Sequence, residues 1–249
     1  MTAPPAPPQR ARDRGLPFPG TPGPRNAIID VPGLAVGTWQ RIDAPDPAEP
    51  VALVPGRGPV RTGVTAIVPH ADRDGPFEVR AAIHALNGNG EMTGSHWIDH
   101  HGAFLGPVLE APDPFAGTVP SETGSIIVVL ATDAPLSGLQ LRRLAQRGAL
   151  GIGRLGGIGG NGSGDLVLAM SLADPRPALG LSAPRPPVHA TRELDALQLD
   201  AMFTAAIEAT EEAIVNALFA ARSLSTVKPR GTLHAIDAEA VAVRFARRG

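Results

Sequence analysis

The chain has 249 residues and no cysteine. That absence removes disulfides, thiolate metal sites and cysteine catalysis in one step. There is no tyrosine and aromatics are only 4 %, so a core must be filled by Ala, Val, Leu and Ile. No apolar run reaches the roughly 18 residues that a membrane helix needs, and no signal-peptide pattern opens the chain. These features predict a cytoplasmic protein with no membrane contact. Charge of one sign is lacking too: the net value is −2, and no basic patch stands out as a nucleic-acid footprint. No repeat with a period of 20 to 50 residues is visible.

What is present in excess is glycine (29) and proline (27), without a period. That excludes collagen and favours a loop-rich domain with a disordered end. Residues 1–25 are Pro-, Arg- and Gly-rich and predict a mobile arm, or one that wraps a neighbouring subunit. The length suits one sizeable α/β domain or two small ones, and residues 26–249 are read as a single domain. Short β-type runs fall at 27–31 and 34–39, split by Pro32-Gly33. Further strands are predicted at 60–69, 77–86, 125–133 and 166–173, and the start of a short helix at 90–102. An amphipathic helix is predicted at 138–148, with Gly148 as its stop, followed by a glycine-dense loop over 151–165. A long helix is predicted at 191–223, capped by Thr191. Its stripe is Leu199, Phe203, Ile207, Thr210, Ile214 and Leu218. A short helix follows at 237–247.

Four segments carry polar groups that suit chemistry. Gly124-Ser125 opens the apolar run IIVVLA, so a hydroxyl sits at the mouth of a buried strand. A serine there can attack the carbonyl before it, shift the peptide to an ester and, after hydrolysis, become a chain terminus. It would then hold a nucleophile and a base, its own α-amine, on one residue. The plain alternative is a turn into a core strand. Gly160-Asn161-Gly162-Ser163-Gly164-Asp165 lies just before the next strand. Its glycines allow close backbone approach, and successive N–H groups can form an anion-binding nest. Ser163 and Asp165 would hydrogen-bond the nucleophile or its amine, or else merely satisfy a polar turn. Asn87-Gly88-Asn89-Gly90-Glu91 ends another strand. Its amides can donate to an oxyanion and Glu91 can bind an ammonium, or the segment is a hairpin turn. His96, Asp99, His100 and His101 cluster with an i, i+4 histidine pair, which reads as a solvated face rather than a metal site. Gly151-x-Gly153-x-x-Gly156 matches a dinucleotide fingerprint only formally, because a helix precedes it and a strand follows.

Read together, TPGPRNAIIDVPGLAVG (21–37), GPVRTGVTAIVP (58–69), LNGNGEMTGSHWI (86–98), GSIIVVLATDAPLSGLQLRRLAQR (124–147), GNGSGDLVLAMS (160–171) and ATEEAIVNALFAA (209–221) resemble the DmpA-type family of serine aminopeptidases. This family comprises the L-aminopeptidase/D-esterases and β-peptidyl aminopeptidases. The resemblance implies an α/β (α+β) chain: an α-β-β-α sandwich like that of N-terminal nucleophile hydrolases. It implies self-cleavage between Gly124 and Ser125, with Ser125 as nucleophile and Ser163 and Asp165 as its supporting serine and acid. The loop carrying Asn87, Asn89 and Glu91, with Asn161, falls at the substrate pocket. The implied reaction removes the N-terminal residue of a short peptide, amide or ester. A homo-oligomer is implied, and no metal or organic cofactor. One departure is large. Family members carry a long segment between the equivalents of Gly106-Pro107-Val108 and the Gly-Ser step, where this chain has a short Pro-rich connector ending at Thr123. One sheet is therefore expected to be incomplete. A non-catalytic shortened relative, or a partner subunit acting by binding only, is the alternative reading.

Overall fold

The structure is a computed structural model. It describes residues 10–42, 60–86, 125–160, 164–179, 183–184, 186–227 and 230–246. Its centre is a three-stranded sheet of β3 (Phe77–Ala85), β4 (Ile127–Thr132) and β5 (Leu166–Pro177), in the order β3-β5-β4. β5 runs antiparallel to β3, with Ala85 opposite Leu166, and parallel to β4, with Ile127 opposite Leu166. Side chains alternate across the sheet, as a strand requires. Val128, Leu130, Val167 and Ala169 face one way, and Val129, Ala131, Leu168, Met170 and Leu172 the other.

The first face is covered by α1 (Gly138–Arg154) and α2 (Leu199–Ala220). α1 begins as its sequence predicts. Ser137 Oγ accepts from the Gln140 N–H, and Gln140 Oε1 accepts from the Ser137 N–H, a reciprocal cap. It does not stop at Gly148 but continues to Arg154, so 151–154 are helix rather than loop. The physical reason is packing. A Cβ on Gly148 would lie 2.8 Å from Val167 Cγ1. One on Gly151 would lie 2.7 Å from Thr210 Cβ and 2.8 Å from the Ile207 carbonyl oxygen. These glycines let α1 press onto β5 and α2.

α2 buries Leu199, Phe203, Thr210 and Ile214 of the expected stripe and leaves Ile207 and Leu218 half-buried. It starts at Leu199 rather than near Thr191, because the preceding backbone is already engaged. The Arg192 N–H donates to Asp174 Oδ2, and the Leu194 N–H donates to the Pro135 carbonyl. The Leu197 N–H donates to Asp195 Oδ1 at a short 3₁₀ turn, Ala196–Gln198. Asp195 is extended (ψ 136°), so the chain turns helical only after it. Two adjacent buried acids on α2, Glu211 and Glu212, are each met by an arginine. Arg154 lies 2.8 Å from Glu211, and Arg12 grips both oxygens of Glu212.

The Arg12 contact corrects the expected free arm, which packs from residue 10 onward. Ala11 and Leu16 are buried in the main core, and the Ala11 N–H donates to Asn216 Oδ1. Residues 27–31 are corrected as well. Ile28–Asp30 form a 3₁₀ turn rather than a strand, because the Asp30 carboxylate accepts from the Arg25 and Ala27 N–H groups and curls the chain back.

On the second face of the sheet, Met170 and Leu172 pack under Ile28, Ile29, Val31, Leu34 and Ile67. Ile67 belongs to an antiparallel ribbon of β1 (Ala35–Ile42) and β2 (Arg61–Val68), which pairs with no third strand among the described residues. Every residue of β1 is exposed. Toward the other end of this face, Ile83 (63 %), Ile127 (72 %) and Leu166 (38 %) are uncovered. The C-terminal part adds a hairpin, β6 (Leu224–Val227) with β7 (Arg230–Leu233), absent from the sequence expectation, and α3 (Ala238–Ala246), close to the expected helix. No helix among the described residues is long and apolar enough to cross a membrane.

Candidate active site

The sheet topology brings three loops to one end. β4 and β5 are parallel and start there, while β3 is antiparallel to β5 and finishes there. The residues before β4 (Ser125), before β5 (Gly164, Asp165) and after β3 (Leu86) therefore converge, although they lie far apart in sequence. Four hydrogen bonds join them. The Gly164 N–H donates to Ser125 Oγ at 3.1 Å. The Ile126 N–H donates to Asp165 Oδ1 at 3.0 Å. The Leu166 N–H donates to the Ile126 carbonyl, and the Leu86 N–H donates to the Asp165 carbonyl, each at 2.9 Å.

Asp165 is the organising residue. It is 1 % exposed, and a carboxylate so placed needs donors around it. Its side chain takes the amide that follows Ser125, and its main-chain oxygen takes the amide that begins the loop after β3. One buried residue thus fixes the Ser125–Ile126 peptide against two other loops. Ser125 itself stays exposed, with its hydroxyl on a backbone donor.

Of the residues singled out in sequence, the structure brings Ser125 and Asp165 together. Ser163, Asn161, Gly124, Asn87, Asn89 and Glu91 lie outside the described residues, as do His96, Asp99, His100 and His101. Among the described residues no group of three or more His, Cys, Asp or Glu could hold a metal. Gly164 was not singled out as a site residue. Its signal was the glycine spacing around Ser163, which marks close backbone approach without saying to what.

A second polar cluster lies at the opposite end of the sheet. Asp174, with a left-handed backbone (φ 52°), accepts from Arg192 Nε at 2.6 Å and from Arg80 Nη2 at 2.7 Å. The Arg192 hydrogen bond, aided by Arg80, holds its carboxyl below the usual range. Arg80 also donates to the Leu136 and Arg192 carbonyls, so this cluster ties the approach to α2 onto β5.

Solved structures share this architecture. The L-aminopeptidase D-Ala-esterase/amidase of Ochrobactrum anthropi, a prototype for the serine aminopeptidases and a new variant among the Ntn hydrolase fold, superposes with a TM-score of 0.78 at 26 % identity, covering 96 % of this chain and 99 % of that one. A Burkholderia sp. beta-aminopeptidase superposes at 0.72, with 24 % identity and coverage of 95 % and 99 %, and speaks to the fold alone. The class is thus an α/β chain with the Ntn hydrolase fold. The sequence profile of peptidase family S58 matches residues 26–110 and 110–231, and the chain belongs to that family of peptidases. Beta-peptidyl aminopeptidase BapA of Sphingosinicella xenopeptidilytica is 28 % identical over 383 aligned positions, 96 % of this chain and 92 % of that protein. The homologue from Sphingosinicella microcystinivorans is 27 % identical over 356, covering 88 % and 87 %.

This chain is shorter than its relatives. With 249 residues against 383 aligned positions, at least 134 positions (383 − 249) have no counterpart here. The profile match divides at residue 110, on the connection between β3 and β4.

Proposed function

We propose that the chain is an autoprocessing serine aminopeptidase, an amidase-esterase that removes N-terminal residues from short peptides, amides or esters with Ser125 as nucleophile. The observation that carries this reading is the contact of Ser125 Oγ with the Gly164 N–H, one residue before the buried Asp165 whose side chain holds the Ile126 amide, in a chain of family S58.

Self-cleavage would run between Gly124 and Ser125. Oγ attacks the Gly124 carbonyl carbon, the C–N bond breaks as the C–O bond forms, and water hydrolyses the resulting ester. Ser125 is left with a free α-amine. In turnover that amine takes the Oγ proton as Oγ adds to the substrate carbonyl, then returns it to the departing amine or alcohol. Water repeats the exchange on the acyl ester and restores the hydroxyl. Ser163 and Asp165 are the supporting serine and acid in this reading. Asn87, Asn89, Glu91 and Asn161 are its substrate-binding residues. No metal or organic cofactor enters the cycle.

The reading extends to a cytoplasmic homo-oligomer in which a neighbouring copy covers the β1–β2 ribbon. The missing segment favours a second reading, a shortened relative that binds without turnover. Intact mass under denaturing conditions, with an aminoacyl p-nitroanilide assay, separates the two. Two fragments, the second beginning at Ser125, and turnover lost in Ser125→Ala are expected. A chain that stays whole over days and releases no nitroaniline would overturn the enzymatic reading.

A further inference from the structure

We infer that the backbone N–H of Gly164 is a working group of the site: it holds the Ser125 hydroxyl and stabilises negative charge on Oγ. This inference rests on the proposed role of Ser125 as nucleophile. An amide N–H can only donate, so the 3.1 Å contact fixes Ser125 Oγ as the acceptor. The hydroxyl proton is thereby left free to point toward a base. Such a donor binds an oxygen more tightly as charge builds on it.

The position of this donor is set by rigid neighbours. Gly164 directly precedes Asp165, which is buried and held at both its side chain and its main-chain oxygen by the Ile126 and Leu86 amides. β5 begins at the next residue and pairs at once with both flanking strands. The Gly164 N–H is therefore presented by the mouth of a paired strand rather than by the middle of a loop, and little reorganisation accompanies the reaction. The glycine matters for reach: a Cβ there would lie 3.4 Å from Ser125 Oγ, so alanine just fits and a larger side chain would crowd the nucleophile.

In the proposed cycle Oγ carries charge twice. The first time is when its proton passes to the amine as the Oγ–C bond forms. The second is when the C–Oγ bond of the ester breaks and the electron pair returns to Oγ, before the ammonium restores its proton. The Gly164 N–H serves both moments and transfers no proton itself.

The test uses the lack of cysteine. Ser125→Cys gives the full chain a single thiol, whose pKa follows from thiolate absorbance against pH. Replacing Gly164 by glycolic acid exchanges the amide for an ester, so an oxygen takes the place of the N–H and the donor is lost while the side chain is unchanged. The thiol pKa is expected to rise by about one unit, roughly a tenfold fall in thiolate below the pKa. Gly164→Ala, which keeps the N–H, is expected to leave it within a few tenths of a unit. Gly164→Pro deletes the same donor and gives a second reading should the ester variant not fold. Chains are compared in one covalent state, fixed by intact mass. An unchanged thiol pKa in the donor-deleted chain overturns the inference. The readout needs no turnover, so an uncut, inactive parent would sink the aminopeptidase reading while the thiol shift still decides the donor. An active parent with an unmoved thiol would sink the donor alone.

Discussion

His70 is the described side chain least at ease in its surroundings. It is 5 % exposed and has a left-handed backbone (φ 55°), and its buried Nε2 meets no hydrogen-bond partner. Phe77 packs against its ring at 5.6 Å. Burial first, then the charge of Arg73, pulls its pKa below the ordinary 6.5, against a smaller opposing pull from Asp72. The unfolded chain therefore binds this proton more readily than the folded one, and stability rises with pH through the window below 6.5, levelling above it. The expected outcome is a melting temperature that falls on acidification from about pH 7.5 to about pH 5, with a shallower fall in His70→Asn. Asparagine tolerates the left-handed backbone, so the comparison isolates the proton. Equal slopes in the two proteins would remove His70 as the cause. At this scale the site was half legible. Ser125 and Asp165 stand out in sequence as a hydroxyl and an acid at strand mouths. Gly164 did not, because what it contributes is a backbone N–H that every non-proline residue possesses.

At the scale of elements, α1 shows how propensity yields to packing. Its last turns hold Gly148, Gly151 and Gly153, each of which weakens an isolated helix by about 1 kcal/mol relative to alanine. Only two are held by their surroundings. Gly153→Ala meets nothing within 4 Å and is expected to stabilise by up to about 1 kcal/mol. Gly148→Ala and Gly151→Ala drive a methyl into Val167 and into Thr210 and the Ile207 carbonyl, and are expected to cost about 1–3 kcal/mol. Urea unfolding midpoints of the three variants check this, and stabilisation by all three would refute the close packing. The glycines that read as a loop in sequence are contact points in the fold. Tertiary contact also sets the start of α2: Asp174 and Pro135 hold the Arg192 and Leu194 amides, and Asp195 stays extended (ψ 136°) before the chain turns helical.

At the scale of the whole molecule, the second face of the sheet is only partly covered among the described residues. Trp39 (57 %) and Val64 (59 %) are cross-strand partners on the ribbon and face outward, with Val68 (48 %) further along the same side of β2. A two-stranded ribbon that reaches the core through Ile67 and is otherwise wet is marginal alone. The relatives' extra positions enter on the β3–β4 connection, which leaves from and returns to the site end of the sheet, where Ile83 and Ile127 are uncovered. The proposed oligomer accounts for this surface. Sedimentation velocity is expected to give a multiple of 25.6 kDa. Trp39→Gln is expected to weaken assembly tenfold or more, about 1.4 kcal/mol, as loss of a buried aromatic anchor does. A 25.6 kDa species at every concentration would reject that oligomer.

The sequence by itself determined what is local or repeated along the chain. Alternation and apolar runs gave the strands of the sheet, the amphipathic pattern from Gly138 gave the start of α1, and the order of the motifs gave the family. Each depends on residues a few positions apart, or on patterns that survive in a linear string. Tertiary structure decided the rest. It packed the proline-rich segment from Arg10 onward against α2 through Ala11, Leu16 and Arg12, turned loop glycines into helix contacts, and bent 28–30 into a turn around Asp30. It also assembled the site. A donor on Gly164 meets a hydroxyl on Ser125, 39 residues away, only because parallel pairing of β4 and β5 brings their starts together. Contacts of that range depend on which strands pair and in what register, and no single stretch of residues encodes that.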